Sequence, residues 1–82
     1  MSQRVLQLMA EQGMSQTDLA KACSQYYAAF MPGELERVKQ QHIFNIIQGQ
    51  DSSWVVTLIA GVFDVNALWL QFGIGKREVR AN

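Results

Sequence analysis

The stretch SWVVTLIAGVF, residues 53–63, sets Val55, Val56, Leu58, Ile59, Val62 and Phe63 on nearly every side of a helix. A helix that is apolar all round must be buried, and a chain of 82 residues has room for one modest core, so the other elements have to wrap around this one. The chain therefore reads as one domain built on a central helix, with Ser53 as its cap. Hydrophobic residues make up 49% of the chain and charged ones 17%, which is the balance of a folded chain rather than a disordered one.

The surrounding helices follow from apolar periodicity and from the residues that interrupt it. Ser2 to Gln12 aligns Val5, Leu8, Met9 and Gln12 on one side, with Leu6 nearby, and Gly13 is a left-handed stop. Ser15-Gln-Thr-Asp18 has the spacing of a capping box with Asp at its fourth position, and apolar residues at 19, 22, 23, 26, 27 and 30 carry a second helix to Phe30. Pro32-Gly33 breaks it. Glu34, Leu35, Glu36 and Val38 can open a third helix that closes at Gly49, the two glutamates suiting a helix N-terminus. Asp64-Val65-Asn66 forms a turn and cap, and Ala67 to Phe72 a short fifth helix stopped by Gly73. Beyond Gly75, KREVRAN has no apolar period and reads as a basic, mobile tail. The expected fold is all-α and compact, with five helices in residues 1–75 and a flexible tail over 76–82.

Several function classes find no support. Cys23 is the single cysteine, so no internal disulfide and no multi-cysteine metal site exists; its place among Leu19, Ala20 and Ala22 suits a small buried hydrophobe. His42 is the single histidine and reads as a helix-surface or core-edge residue rather than a ligand. The carboxylates are scattered and no Gly-rich phosphate loop or nucleophile turn is present, so neither an enzyme nor a cofactor is expected. No apolar run has the length of a membrane span and the N-terminus lacks a signal-peptide pattern, from which a cytoplasmic protein without a membrane partner is expected. Seven basic and seven acidic residues cancel; without residues 76–82 the body carries four basic against six acidic side chains, a net charge of −2. Strong non-specific DNA binding by a monomer is therefore not expected.

One segment pairs an apolar face with an amide-rich one. In VKQQHIFNIIQG, residues 38–49, Val38, Ile43, Ile46 and Ile47 share an arc that can face a core, while Lys39, Gln40, Gln41, Asn45 and Gln48 remain mostly outside. Amide side chains offer a donor and an acceptor together, the pair that complements an adenine edge in the major groove, and Gln40 and Gln41 fall in the first turn if the helix begins near Val38. A glutamine-rich helix face is also an ordinary solvated face. Ser15, Gln16 and Thr17 admit two readings as well: a backbone-phosphate contact at a helix N-terminus, or capping alone.

Five short helices with Ser15-Gln16-x-x-Leu19-Ala20 opening the second, Ile43-x-x-Ile46-x-x-Gly49 ending the third and Phe63-Asp-Val65-x-x-x-Trp69-Leu70 ending the domain resemble the DNA-binding domain of lambdoid phage repressors and Cro proteins, the XRE-type helix-turn-helix family. The resemblance covers most of residues 2–75. It implies a lambda-repressor-like domain in which Gln16 touches the DNA backbone and braces the recognition helix, with Thr17 beside it. Gln40 and Gln41 would reach base edges, Asn45 would meet DNA one turn later, and Lys39 would face a phosphate; in a near-neutral dimer of this kind Lys39, Arg37 and the tail would supply a modest salt-dependent term. It also implies a Cro-like transcriptional regulator that binds double-stranded operator DNA as a homodimer, with Trp69, Leu70 and Phe72 as candidate dimer contacts; an internal core role for Trp69 is the other reading. The sequence departs from the family over residues 24–37, which intervene between helices two and three where a tight turn is usual. The aromatic set Tyr26, Tyr27 and Phe30 in this insertion supports a second expectation, a protein-interaction module such as an antirepressor that binds a protein partner there.

Overall fold

The computed structural model describes residues 1–33, 37–50 and 52–78. They form α1 (Ser2–Gln12), α2 (Gln16–Phe30), α3 (Gln40–Ile47), α4 (Ser53–Phe63) and α5 (Ala67–Phe72). Among the described residues there is no strand, only one isolated antiparallel bridge between Val65 and Glu78. The domain is thus mostly helical, with a radius of gyration of 12.0 Å.

Local chemistry sets most helix ends where the sequence places them. Gly13 is left-handed (φ 63°), so the Met14 N–H reaches the Met9 carbonyl at 2.9 Å and α1 closes on its own carbonyls. At the start of α2 the Asp18 N–H donates to Ser15 Oγ and the Ser15 N–H to Asp18 Oδ2, both at 3.1 Å, completing the expected capping box. Asn66 Oδ1 accepts from the Leu68 N–H at 2.9 Å and caps α5. Two boundaries differ from expectation. Ser53 is the first residue inside α4 rather than its cap, and Ser52 takes the cap position without a side-chain hydrogen bond. The third helix begins at Gln40, since Arg37, Val38 and Lys39 are not helical; the expectation that Glu34, Leu35 and Glu36 open it lies outside the described residues.

All five helices feed one core. Val5, Leu19, Cys23, Ile43, Ile46, Val55, Ile59 and Leu70 have no exposed surface, and α4 lies among them as its all-round hydrophobicity requires. The long α2 packs across α4 and α3. Gly61 permits a close approach there: a Cβ at this position would lie 2.4 Å from Cζ of Tyr26, whose ring rests on α4. Burial pushes the Cys23 thiol up to about 12, so it remains protonated and acts as the small buried hydrophobe expected of it.

The segment from Lys76 is expected to be a mobile tail, and its residues Arg77 and Glu78 are instead attached to the domain. The Asn66 N–H donates to the Arg77 carbonyl at 2.7 Å, and the Arg77 side chain pairs with Glu11 and lies over the Trp69 ring, 5.6 Å from its centroid. A guanidinium finds both a carboxylate and an aromatic face in one place, two partners that sequence spacing alone does not bring together. Residues 79–82 lie outside the described residues.

Candidate nucleic-acid interface

The start of α3 is held from outside by Ser24 and Trp54 and from within by His42. Ser24, buried on α2, donates its hydroxyl to the Val38 carbonyl at 2.9 Å and accepts the Val38 N–H at 3.1 Å. These two bonds return the chain to α2 after the insertion and satisfy both polar groups of a buried peptide residue. Lys39 occupies the cap position, and the ring of His42, at the third position of the helix, reaches back and takes the Lys39 N–H on Nδ1 at 2.9 Å. The His42 ring meets Trp54 of α4 edge-on at 5.4 Å, and the Arg37 guanidinium covers the same indole at 5.1 Å. Tyr27 of α2 adds a third contact to Trp54 at 6.5 Å. One tryptophan therefore joins α2, the end of the connection, α3 and α4.

This anchoring leaves the amide side chains outward and pairs them. Gln40 and Gln41 are the first two residues of α3 and both are exposed. The Gln40 amide nitrogen donates to Oε1 of Gln16, the first residue of α2, so the starts of the two helices are tied side chain to side chain. Gln41 Nε2 donates to Asn45 Oδ1 at 2.9 Å, one turn further along. Thr17, Lys39 and Gln40 line one open cleft of about 310 Å³ together with Lys21, Ser24, Gln25 and Val38. Of the seven residues expected at a DNA surface, Gln16, Thr17, Lys39 and Gln40 are thus neighbours, and Gln41 and Asn45 continue along α3. Arg37 does not line the cleft; it is exposed, with its guanidinium over the Trp54 ring.

Cations are unevenly spread over the described surface. Arg4 donates Nε to the Leu70 carbonyl at 2.9 Å and Nη2 to the Gln71 carbonyl at 3.2 Å, capping the end of α5, and Arg77 is committed to Glu11. Lys21, Arg37 and Lys39 flank the start of α3. Among the described residues no group of three or more His, Cys, Asp or Glu is placed to hold a metal, and no helix is long and apolar enough to cross a membrane.

The expected partner contacts divide three ways. Leu70 is fully buried, so it belongs to the core and cannot be a contact. Trp69 is half-buried under Arg77, which favours its internal role. Phe72 is 59% exposed, in company with Leu68 and Ile74, neither of which was singled out from the sequence. In the insertion, Tyr27 packs inward, Tyr26 lies on Gly61 and against Phe30 with centroids 5.2 Å apart, and Phe30 remains 67% exposed. Ser24 and Trp54 were missed as well. Their partners lie 14 residues away for Ser24 and on three different elements for Trp54, and nothing in the local pattern marks either. No family model, no curated protein and no solved structure matches this chain.

Proposed function

We propose that this chain is a lambda-repressor-like, sequence-specific DNA-binding regulator that lays the start of α3 in the major groove and binds its operator as a dimer. The observation that carries this reading is the exposed amide set at the beginning of α3, tied to the start of α2 through Gln16 and Gln40. With its oxygen engaged by Gln40, the Gln16 amide keeps donors, which suit a phosphate oxygen. Gln40 keeps an acceptor and a second donor for a base edge. Lys21, Arg37 and Lys39 supply the positive charge that the near-neutral composition otherwise lacks, and they supply it beside the reading helix. Leu68, Phe72 and Ile74 offer an apolar surface for the second subunit, whose recognition helix would enter the next major groove about 34 Å away. A regulator of this kind represses or recruits polymerase according to where its operator lies.

The test is selection of binding sites from a random duplex pool, with wild type and a Gln40→Ala/Gln41→Ala variant side by side at low and moderate salt. The expected result is a two-fold symmetric motif for wild type that the variant loses while keeping its helical circular dichroism. With about three phosphates neutralised per subunit, affinity should fall with a log–log salt slope of about −5 for the dimer. A second reading draws on the exposure of Phe30 and Met31 beside Tyr26, an apolar surface that fits a protein partner of an interaction module. An unenriched pool at both salts would favour it.

A further inference from the structure

The hydrogen bond between Gln41 and Asn45 has a consequence for which bases are read. Gln41 Nε2 donates to Asn45 Oδ1 at 2.9 Å, so one Gln41 hydrogen and the Asn45 oxygen are already used within the protein. Gln41 keeps its oxygen and one hydrogen, an acceptor beside a donor. Asn45 presents its amide nitrogen with two hydrogens. Gln41 is exposed and Asn45 half-exposed on α3, so both remaining sets face outward.

We infer that Gln41 and Asn45 act as one reading unit, Gln41 taking an adenine and Asn45 taking a base edge made of acceptors, guanine or thymine, at a neighbouring base pair. The inference rests on the DNA-reading role proposed for α3. Adenine offers N6–H and N7, which match an acceptor beside a donor; guanine offers N7 and O6, and thymine O4, which match donors alone. Although Asn45 is one turn further along the helix, its amide tip lies 2.9 Å from that of Gln41, about one base-pair rise of 3.4 Å, so the two tips fall on adjacent base pairs. The direction of this one hydrogen bond sets both readings: reversed, Gln41 would keep donors alone and Asn45 an acceptor beside a donor, and the two bases would exchange. Asn45 is thereby also a positioning residue, since its oxygen holds the Gln41 amide in the orientation that accepts adenine.

Two substitutions separate these roles in the same selection experiment. Asn45→Asp keeps an oxygen for Gln41 and removes both donors. The expected motif retains adenine at one column, while the neighbouring guanine or thymine column loses its preference and affinity for the wild-type site falls by roughly tenfold or more. Asn45→Ala removes the oxygen as well, and the adenine column should relax by roughly fivefold or more in addition. If both variants select the wild-type motif unchanged, or if Asn45→Ala leaves the adenine column intact, the inference is overturned while the DNA-reading role stands. If wild type selects no motif at all, the DNA-reading role fails and this inference fails with it.

Discussion

Two segments leave the helical body and are fastened back to it with similar parts but in different surroundings. The insertion returns where Ser24 makes two hydrogen bonds to the Val38 backbone, with Arg37 laid over Trp54. The C-terminal segment returns where the Asn66 N–H meets the Arg77 carbonyl, with Arg77 laid over Trp69 and paired with Glu11. Each joins a backbone hydrogen bond to a guanidinium on an indole. The difference is water: Ser24 is 5% exposed, whereas the side chains of Arg77 and Glu11 keep 31% and 37% of their surface. A buried hydrogen bond that loses one partner leaves a desolvated group unpaired, while a solvated ion pair that is broken is replaced by water and by salt ions. The first fastening therefore belongs to the stability of the domain, and the second is an adjustable attachment.

Breaking the buried fastening should have the larger effect. Ser24→Ala strands the Val38 N–H and carbonyl in the core, and a loss of about 1–3 kcal/mol in denaturant unfolding is expected, with hydrogen exchange at the Val38 amide accelerating most. An unchanged midpoint would show that the bonds between Ser24 and Val38 contribute nothing to folding. Next in size is Gly61→Ala, which drives a methyl group into Tyr26; because that ring is at the surface and swings outward, a loss near the lower end of the overpacking range, about 1 kcal/mol, is expected. Retained stability with increased Tyr26 fluorescence quenching would place the whole adjustment in the side chain.

The smaller effects test the exposed fastening. Arg77→Ala should shift the unfolding midpoint less than Ser24→Ala does, and the shift should shrink as salt is raised, since the pair it removes is solvated. A salt-independent loss larger than that of Ser24→Ala would reverse the comparison. Acid should separate the two regions with no mutation at all. The guanidinium of Arg77 holds the Glu11 carboxyl below its ordinary value of 4.5, so the pair contributes fully above that value and is lost as pH falls through the lowered one. No titratable group takes part in the bonds between Ser24 and Val38. As pH falls below 4.5, exchange at the Asn66 amide should quicken before that at Val38, and equal acceleration at both would point to global unfolding. Asp18 adds to the acid sensitivity in the same direction: the Ser15 N–H and hydroxyl hold it below its ordinary 3.8, and Asp18→Asn should flatten the pH dependence.

Much of the fold was legible because its signals are local. Gly13 ends α1, Ser15 and Asp18 open α2, Asn66 caps α5, and Gln40 and Gln41 fall in the first turn of α3, each readable from residues within one or two turns. The exclusion of Val38 from the third helix has a physical cause. Its side chain fits the apolar face of the expected helix, but Ser24 claims both polar groups of the Val38 backbone and holds it outside the helical ladder. At the candidate interface the amide residues could be picked out by type, yet the direction of each hydrogen bond and the partner of each oxygen could not.

Periodicity, caps and glycine stops are properties of neighbouring residues, so the sequence by itself determined five helices, a buried α4 and an outward amide face on α3. Tertiary structure alone decided that Ser24 closes the insertion, that Trp54 binds α2, α3 and Arg37 to α4, that Arg77 crosses 66 residues of sequence to reach Glu11, and that Leu70 turns inward while Phe72 turns out. Those choices depend on which surfaces meet when the helices pack and exclude water, and residue spacing along one helix carries no record of the face that will oppose it.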